Sequence, residues 1–164
     1  MKLIGKAWKY GPNVDTDVII PARYLAEFRA EELAKHCMED LDTSFVKEVK
    51  RGDVIVAGRG FGIGSSREHA PVAIKASGIA AVIAPSFARI FYRNAINVGL
   101  PLVECQGIDE DVEKGDEIEV DLSGGTVLNR RSGKLFKVSQ YPDFMLKIVE
   151  AGGLVNYTRE KLRG

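Results

Sequence analysis

Residues 58–71 read GRGFGIGSSREHAP and gather the groups best suited to act on an anion. Glycines alternate at 58, 60, 62 and 64, so the backbone can approach a ligand closely and leave N–H groups free. Ser65 and Ser66 add hydroxyls, and Arg67 adds a planar fork that matches a carboxylate. Three familiar frames fail. GxGxxG would need glycine where Ile63 or Ser65 stands, and no lysine follows these glycines to complete a phosphate loop. Neither serine fits the GxSxG elbow of a serine hydrolase. His69 lies only one turn beyond Ser65, whereas a triad partner arrives from a distant segment.

Ser65 followed by Glu68 matches a capping box, which predicts that a helix starts at Ser65. Two readings stand side by side. In one, this is only a strand, a flexible turn and a well-capped helix. In the other, Ser65 sits among unpaired N–H donors at the positive end of a helix dipole, which favours a bound carboxylate or a serine alkoxide.

Other candidates have plainer readings. Asp15 and Asp17 could share a metal, yet carboxylates two apart are common in turns. Arg89 and Arg93, one turn apart on a helix, could meet an anionic substrate or a partner, or simply face water. His36 falls on a surface helix. Trp8, Tyr10, Phe87, Phe91 and Ala95 read as core. Cys37 and Cys105 stand far apart with no CxxC and no Cys/His cluster, so they cannot alone hold zinc or an iron–sulfur cluster, which takes three or four ligands.

The elements that must position these groups follow from periodicity and from glycine and proline stops. Residues 2–10 predict a strand and 30–38 a helix. The apolar runs 53–57, 79–84 and 102–104 predict buried strands, with helices over 71–77 and 86–98 between them. That alternation is the pattern of parallel crossover units. Residues 117–122 alternate with period two and, with 126–128 and 134–138, predict an antiparallel meander. A closing helix covers 143–151 and ends at Gly152-Gly153.

The chain has 164 residues, 45% of them apolar, enough for one α/β domain spanning 1–164 with a full core. Its 23 basic and 23 acidic residues balance, which excludes a generic nucleic-acid binder. The longest uncharged stretch, 76–88, is shorter than the about 20 residues a membrane-spanning helix needs. Lys6 and Lys9 interrupt the N-terminal apolar run, so it is no signal peptide, and the two unclustered cysteines fit a reducing cytoplasm.

GFGIGSSREHAP at 60–71, SFARIFYRNAINVGLP at 86–101 and NVDTDVIIPARYL at 13–25 together resemble the small subunits of the 3-isopropylmalate dehydratase family, and through them the swivelling C-terminal domain of aconitase. The resemblance runs from about residue 5 to residue 153. It implies a single swivelling β/β/α barrel of mixed parallel and antiparallel strands. It implies a cytoplasmic hydro-lyase subunit that interconverts 2- and 3-isopropylmalate in leucine biosynthesis. The cofactor implied is a [4Fe-4S] cluster held by a large partner subunit, in a heterodimer or heterotetramer. The isolated chain could then self-associate through the vacant interface.

By match to the GSSRE motif, the resemblance implies that Ser65 is the base, that Ser66 and Arg67 bind a substrate carboxylate, and that Asp17 helps organise the serine. A serine hydroxyl is a poor base in water, and active sites commonly displace pKa values by about 2–5 to make such a group work. Tyr24, Leu25 and Ala26 match the loop that varies with substrate. Ala26 suits an isopropyl group, whereas relatives acting on a distal carboxylate place arginine there. Glu27-Phe28-Arg29 departs from the short polar stretch of the family, and Arg29 takes the place of a substrate-binding arginine with a one-position offset. The alternatives are homoaconitate or another substituted malate as substrate, and a non-catalytic carboxylate-binding module.

Overall fold

The computed structural model describes residues 1–163. In chain order its elements are β1 (Lys2–Lys9), α1 (Thr16–Ile19), a 3-10 turn (Ala22–Tyr24), α2 (Ala30–Ala34), α3 (Phe45–Glu48), β2 (Val54–Val56), α4 (His69–Ala76), β3 (Ala81–Ala84), α5 (Arg89–Asn97), β4 (Leu102–Glu104), α6 (Ile108–Asp111), β5 (Glu117–Asp121), β6 (Thr126–Asn129), β7 (Leu135–Lys137), α7 (Asp143–Glu150) and α8 (Leu154–Arg163).

The strands form one seven-stranded sheet in the order β4-β3-β2-β1-β5-β6-β7. β1 is the seam. It pairs parallel with β2, which continues parallel to β3 and β4. On its other side β1 pairs antiparallel with β5, which leads into the β6 and β7 meander. This is the mixed α/β architecture expected, realised as a half-barrel with ends at β4 and β7. Crossover units demand parallel neighbours, while the short glycine turns of 123–125 and 132–134 allow only antiparallel ones.

Period-two alternation sends side chains to both faces. Ile55 and Val82 join Trp8, Phe45, Phe61, Ile74 and Phe91 in one core layer. Their neighbours Val54, Val56, Ala81 and Ile83 join Ile118, Val127, Phe136 and Ile148 in the other. Sheets buried on both faces need the near-continuous apolar strands seen here. The β4 end is sealed by Tyr141, whose hydroxyl accepts the Leu102 N–H (2.9 Å) and donates to the Leu102 carbonyl.

Several elements differ from expectation. The helix expected over 30–38 stops at Ala34, because Met38 turns left-handed (φ 62°) to donate its N–H to the Ile19 carbonyl (2.8 Å) and enters the core. The helix expected from 86 starts at Arg89, because the Ser86 carbonyl accepts the Gly60 and Phe61 N–H groups instead (3.1 and 3.2 Å). A further helix, α8, follows Gly152-Gly153. Two positive-φ glycines turn the chain there rather than end it.

Candidate active site

The three sequence motifs follow the carboxyl ends of β1, β2 and β3, three adjacent parallel strands. Ligands of open α/β sheets bind in that crevice. Backbone pairing draws the three segments together. Asn13 N–H donates to the Arg59 carbonyl (2.7 Å), Gly62 to Val14 (2.8 Å), Thr16 to Ile63 (2.9 Å) and Ala88 to Phe61 (3.0 Å). Isolated parallel bridges join Asp15 to Ile63 and Phe61 to Phe87.

At the centre is the turn that holds Ser65. Its carbonyl accepts the Thr16 hydroxyl (2.8 Å) and the Arg67 N–H (2.9 Å). Gly62 and Gly64 both have positive φ (85° and 100°). A Cβ on Gly64 would lie 2.6 Å from the Asp15 carboxylate, so glycine is needed where 15–17 crosses the loop.

The capping box does not form. α4 begins at His69, and Glu68 before it makes no side-chain cap. The bridge to Asp15 and the two left-handed glycines hold Ser65 in an exposed loop ahead of the helix. The expected action of first-turn amides and dipole on Ser65 is therefore corrected, since that effect fades within one turn. The acid that does cap a helix is Asp15, whose Oδ1 accepts the Asp17 N–H (2.8 Å) at the start of α1.

The charge beside Ser65 comes from Arg67. Its side chain is 18% exposed, and Nη1 forms an ion pair with Oδ1 of Asp17, which is 57% exposed. Nη1 is wholly buried, yet it has no well-aligned hydrogen-bond acceptor. Ser65, Ser66 and Arg67 line a cavity of about 210 Å³ with Thr16, Arg89 and Ile90. A carboxylate placed there would meet two hydroxyls and a guanidinium held by its own counter-ion.

The loop carrying Tyr24, Leu25 and Ala26 lies to one side. The Tyr24 hydroxyl donates to Glu39 (2.6 Å) and its ring stacks on His36 at 3.9 Å. Arg23 pairs with Glu39 and Asp40. Arg29 is engaged by Glu27 (3.0 Å), and its hydrogen bonds hold the Glu27 carboxyl down at about 2. Neither Arg29 nor the residues 24–26 line the Ser65 cavity. Phe28, 85% exposed, links the loop to the motif, its ring centroid 6.1 Å from that of His69. The His69 Nε2 is buried with no hydrogen-bond partner.

Sequence reading missed Thr16, and it singled out Arg89 only as one of two helix-face cations. Thr16 carries no local signal, because its partner is a backbone carbonyl 49 positions away. Larger grooves lie elsewhere, and two of them, of about 560 and 750 Å³, are at the opposite, amino ends of the parallel strands, around Gly52-Asp53 and around Gly78 and Gly99. No described helix is long and apolar enough to cross a membrane.

A family model described as the aconitase C-terminal domain matches residues 27–106. A 3-isopropylmalate dehydratase small subunit from Caldicellulosiruptor bescii is 59% identical over 97% of this chain and 96% of its own length. An isopropylmalate/citramalate isomerase small subunit from Methanocaldococcus jannaschii is 57% identical over 96% of this chain and 94% of its own. A crystal structure of 3-isopropylmalate dehydratase from the same organism, 49% identical, superposes with a TM-score of 0.91 over 98% of this chain and 95% of that one.

Proposed function

The chain belongs to the family of 3-isopropylmalate dehydratase small subunits, and from that membership we propose that it completes the active site of a cytoplasmic hydro-lyase interconverting 2- and 3-isopropylmalate in leucine biosynthesis. The carrying observation is the cavity in which Ser65, Ser66 and Arg67 meet, with Arg67 braced by Asp17. Ser65, as its alkoxide, takes the proton from the carbon next to a carboxylate and becomes the neutral hydroxyl. The C–H electrons form the double bond as hydroxide leaves the neighbouring carbon and departs as water with a proton supplied from outside this chain, and addition of water in the opposite sense gives the isomer. Negative charge spreads onto that carboxylate in the transition state, so the fixed Arg67 contact strengthens there.

The residues of this chain do not fit an iron–sulfur cluster. Cys37 and Cys105 are both buried, and among the described residues no group of three or more His, Cys, Asp or Glu is disposed to share a metal. In this reading the small-subunit family membership assigns a [4Fe-4S] cluster to a large partner subunit, in a heterodimer or heterotetramer, and this chain acts as one swivelling domain that closes over the substrate. The relative named for both isopropylmalate and citramalate favours citramalate as a second substrate.

The test is an anaerobic assay on 2-isopropylmalate with the chain alone and then mixed with its large subunit. Turnover only in the mixture, falling about 10²–10⁴-fold in Ser65→Ala while assembly persists, is the expected result. Near-normal turnover in Ser65→Ala would reduce Ser65 to a loop residue.

A further inference from the structure

We propose that Arg89 is a second carboxylate-binding residue of this site, taking the substrate carboxylate that Arg67 does not hold; this rests on the function proposed above. Arg89 is the first residue of α5 and lines the cavity with Ser65, Ser66 and Arg67. It reaches the cavity from the β3 side, whereas Arg67 reaches it from the β2 side. Arg67 is already committed to Asp17, while Arg89 has no carboxylate partner among the described residues. Its position also works against its charge. α5 has no side-chain cap and no acidic residue in its first turn, so nothing offsets the positive end of the helix. A cation there costs free energy that an arriving anion relieves.

Malate-type substrates carry two carboxylates on adjacent carbons. A single guanidinium partly spent on an internal ion pair makes a poor grip for both. Two arginines lining one cavity of about 210 Å³ suit a dicarboxylate of this size. The exposed Ile90 next to Arg89 lines the same cavity and adds apolar surface beside the charge. Arg89 thus makes this chain selective for dicarboxylates over monocarboxylates.

The experiment uses the assembled two-subunit enzyme with wild-type chain, Arg89→Gln and Arg89→Lys. Arg89→Gln is expected to raise KM for 2-isopropylmalate about 10- to 100-fold with kcat little changed, as for loss of a charged hydrogen bond. Arg89→Lys, which keeps the charge but not the fork, is expected to recover part of that loss. Isopropylsuccinate, a dicarboxylate without the hydroxyl, should weaken in parallel as an inhibitor, while 4-methylpentanoate, with one carboxylate, should not change. Unaltered KM and inhibition in Arg89→Gln would overturn the inference, as would a fall in kcat alone. Wild-type turnover and its dependence on Ser65 in the same preparations test the underlying function separately. Should wild type not turn over, the calorimetric Kd of isopropylsuccinate for the wild-type and Arg89→Gln complexes still decides the role of Arg89, with equal values overturning it.

Discussion

Arg67 and Asp17 form an ion pair that joins two segments 50 residues apart, with the arginine mostly buried and the aspartate mostly in water. With the carboxylate mostly in water, Coulomb attraction is screened and adds about 0–1 kcal/mol to stability. Its consequence is positional: Asp17 fixes the fork beside Ser65. Asp17→Asn should therefore leave the thermal midpoint within a few degrees of wild type while lowering kcat/KM of the assembled enzyme about 10-fold or more, since misplacement by about 1 Å can cost 100-fold. Thermal unfolding and steady-state kinetics on the same preparation separate the two effects. A large loss of stability with unchanged kinetics would make the pair a structural clasp.

The glycine turn predicts a steric outcome. A methyl at position 62 would overlap the ring of Phe91, and the backbone there has φ 85°. Phe91 is buried and packs edge-on against Phe61 at 5.4 Å, so it has little room to yield. A left-handed non-glycine residue costs about 1–3 kcal/mol, and overpacking adds about 1–3 kcal/mol more. Gly62→Ala should lower the thermal midpoint clearly and shift the start of α5, with activity falling alongside. At about 2–4 °C per kcal/mol for a chain of this size, a midpoint within about 2 °C of wild type would contradict this packing.

What sequence reading captured and missed divides along one line. The runs 53–57, 79–84 and 102–104 disclosed the parallel units because β-branched residues between glycines have few other places to go. The substrate-side motifs were legible as motifs, but their meeting point was not. The Asp15–Ile63 bridge and the Thr16 hydrogen bond to the Ser65 carbonyl join positions roughly 50 apart, with no periodicity to betray them. Ser65 and Glu68 carried a true local signal for a cap, and tertiary pairing overrode it. Arg29 shows the same limit: its Glu27 partner lies two residues away, yet only the folded loop reveals that the pair is closed.

The two cysteines give a simple chemical prediction. Cys37 and Cys105 are almost wholly buried. Burial pushes the Cys37 thiol well above its ordinary range and the Cys105 thiol up to about 12, with the Asp109 charge adding to the second. The thiolate is the reactive form. Iodoacetamide at pH 8 should leave both untouched in the native chain and label both in guanidinium chloride, as read by mass spectrometry. Native labelling of either residue would show that its segment opens locally.

Asp116 sets an acid limit on stability. Its carboxylate is buried and accepts hydrogen bonds from Arg131 Nε (2.8 Å), the Glu113 N–H (2.9 Å) and Asn129 Nδ2 (3.1 Å). Burial alone would raise its pKa, but these bonds, with that of Arg131 foremost, outweigh it and hold the carboxyl below its ordinary value. A depressed folded pKa stabilises fully above the unfolded value of about 3.9, and the contribution disappears as pH falls through the folded value. Asp116→Asn puts an amide donor where one acceptor stood, facing donors on every side. At pH 7 it should cost about 1–3 kcal/mol. The gap between variant and wild type should shrink below about pH 4, where the carboxyl of the unfolded wild-type chain takes up its proton first and the folded one follows at lower pH. Denaturant unfolding at pH 7 and pH 3 measures both. A gap of equal size at the two pH values would mean that the cost is steric and that the charge of Asp116 contributes nothing.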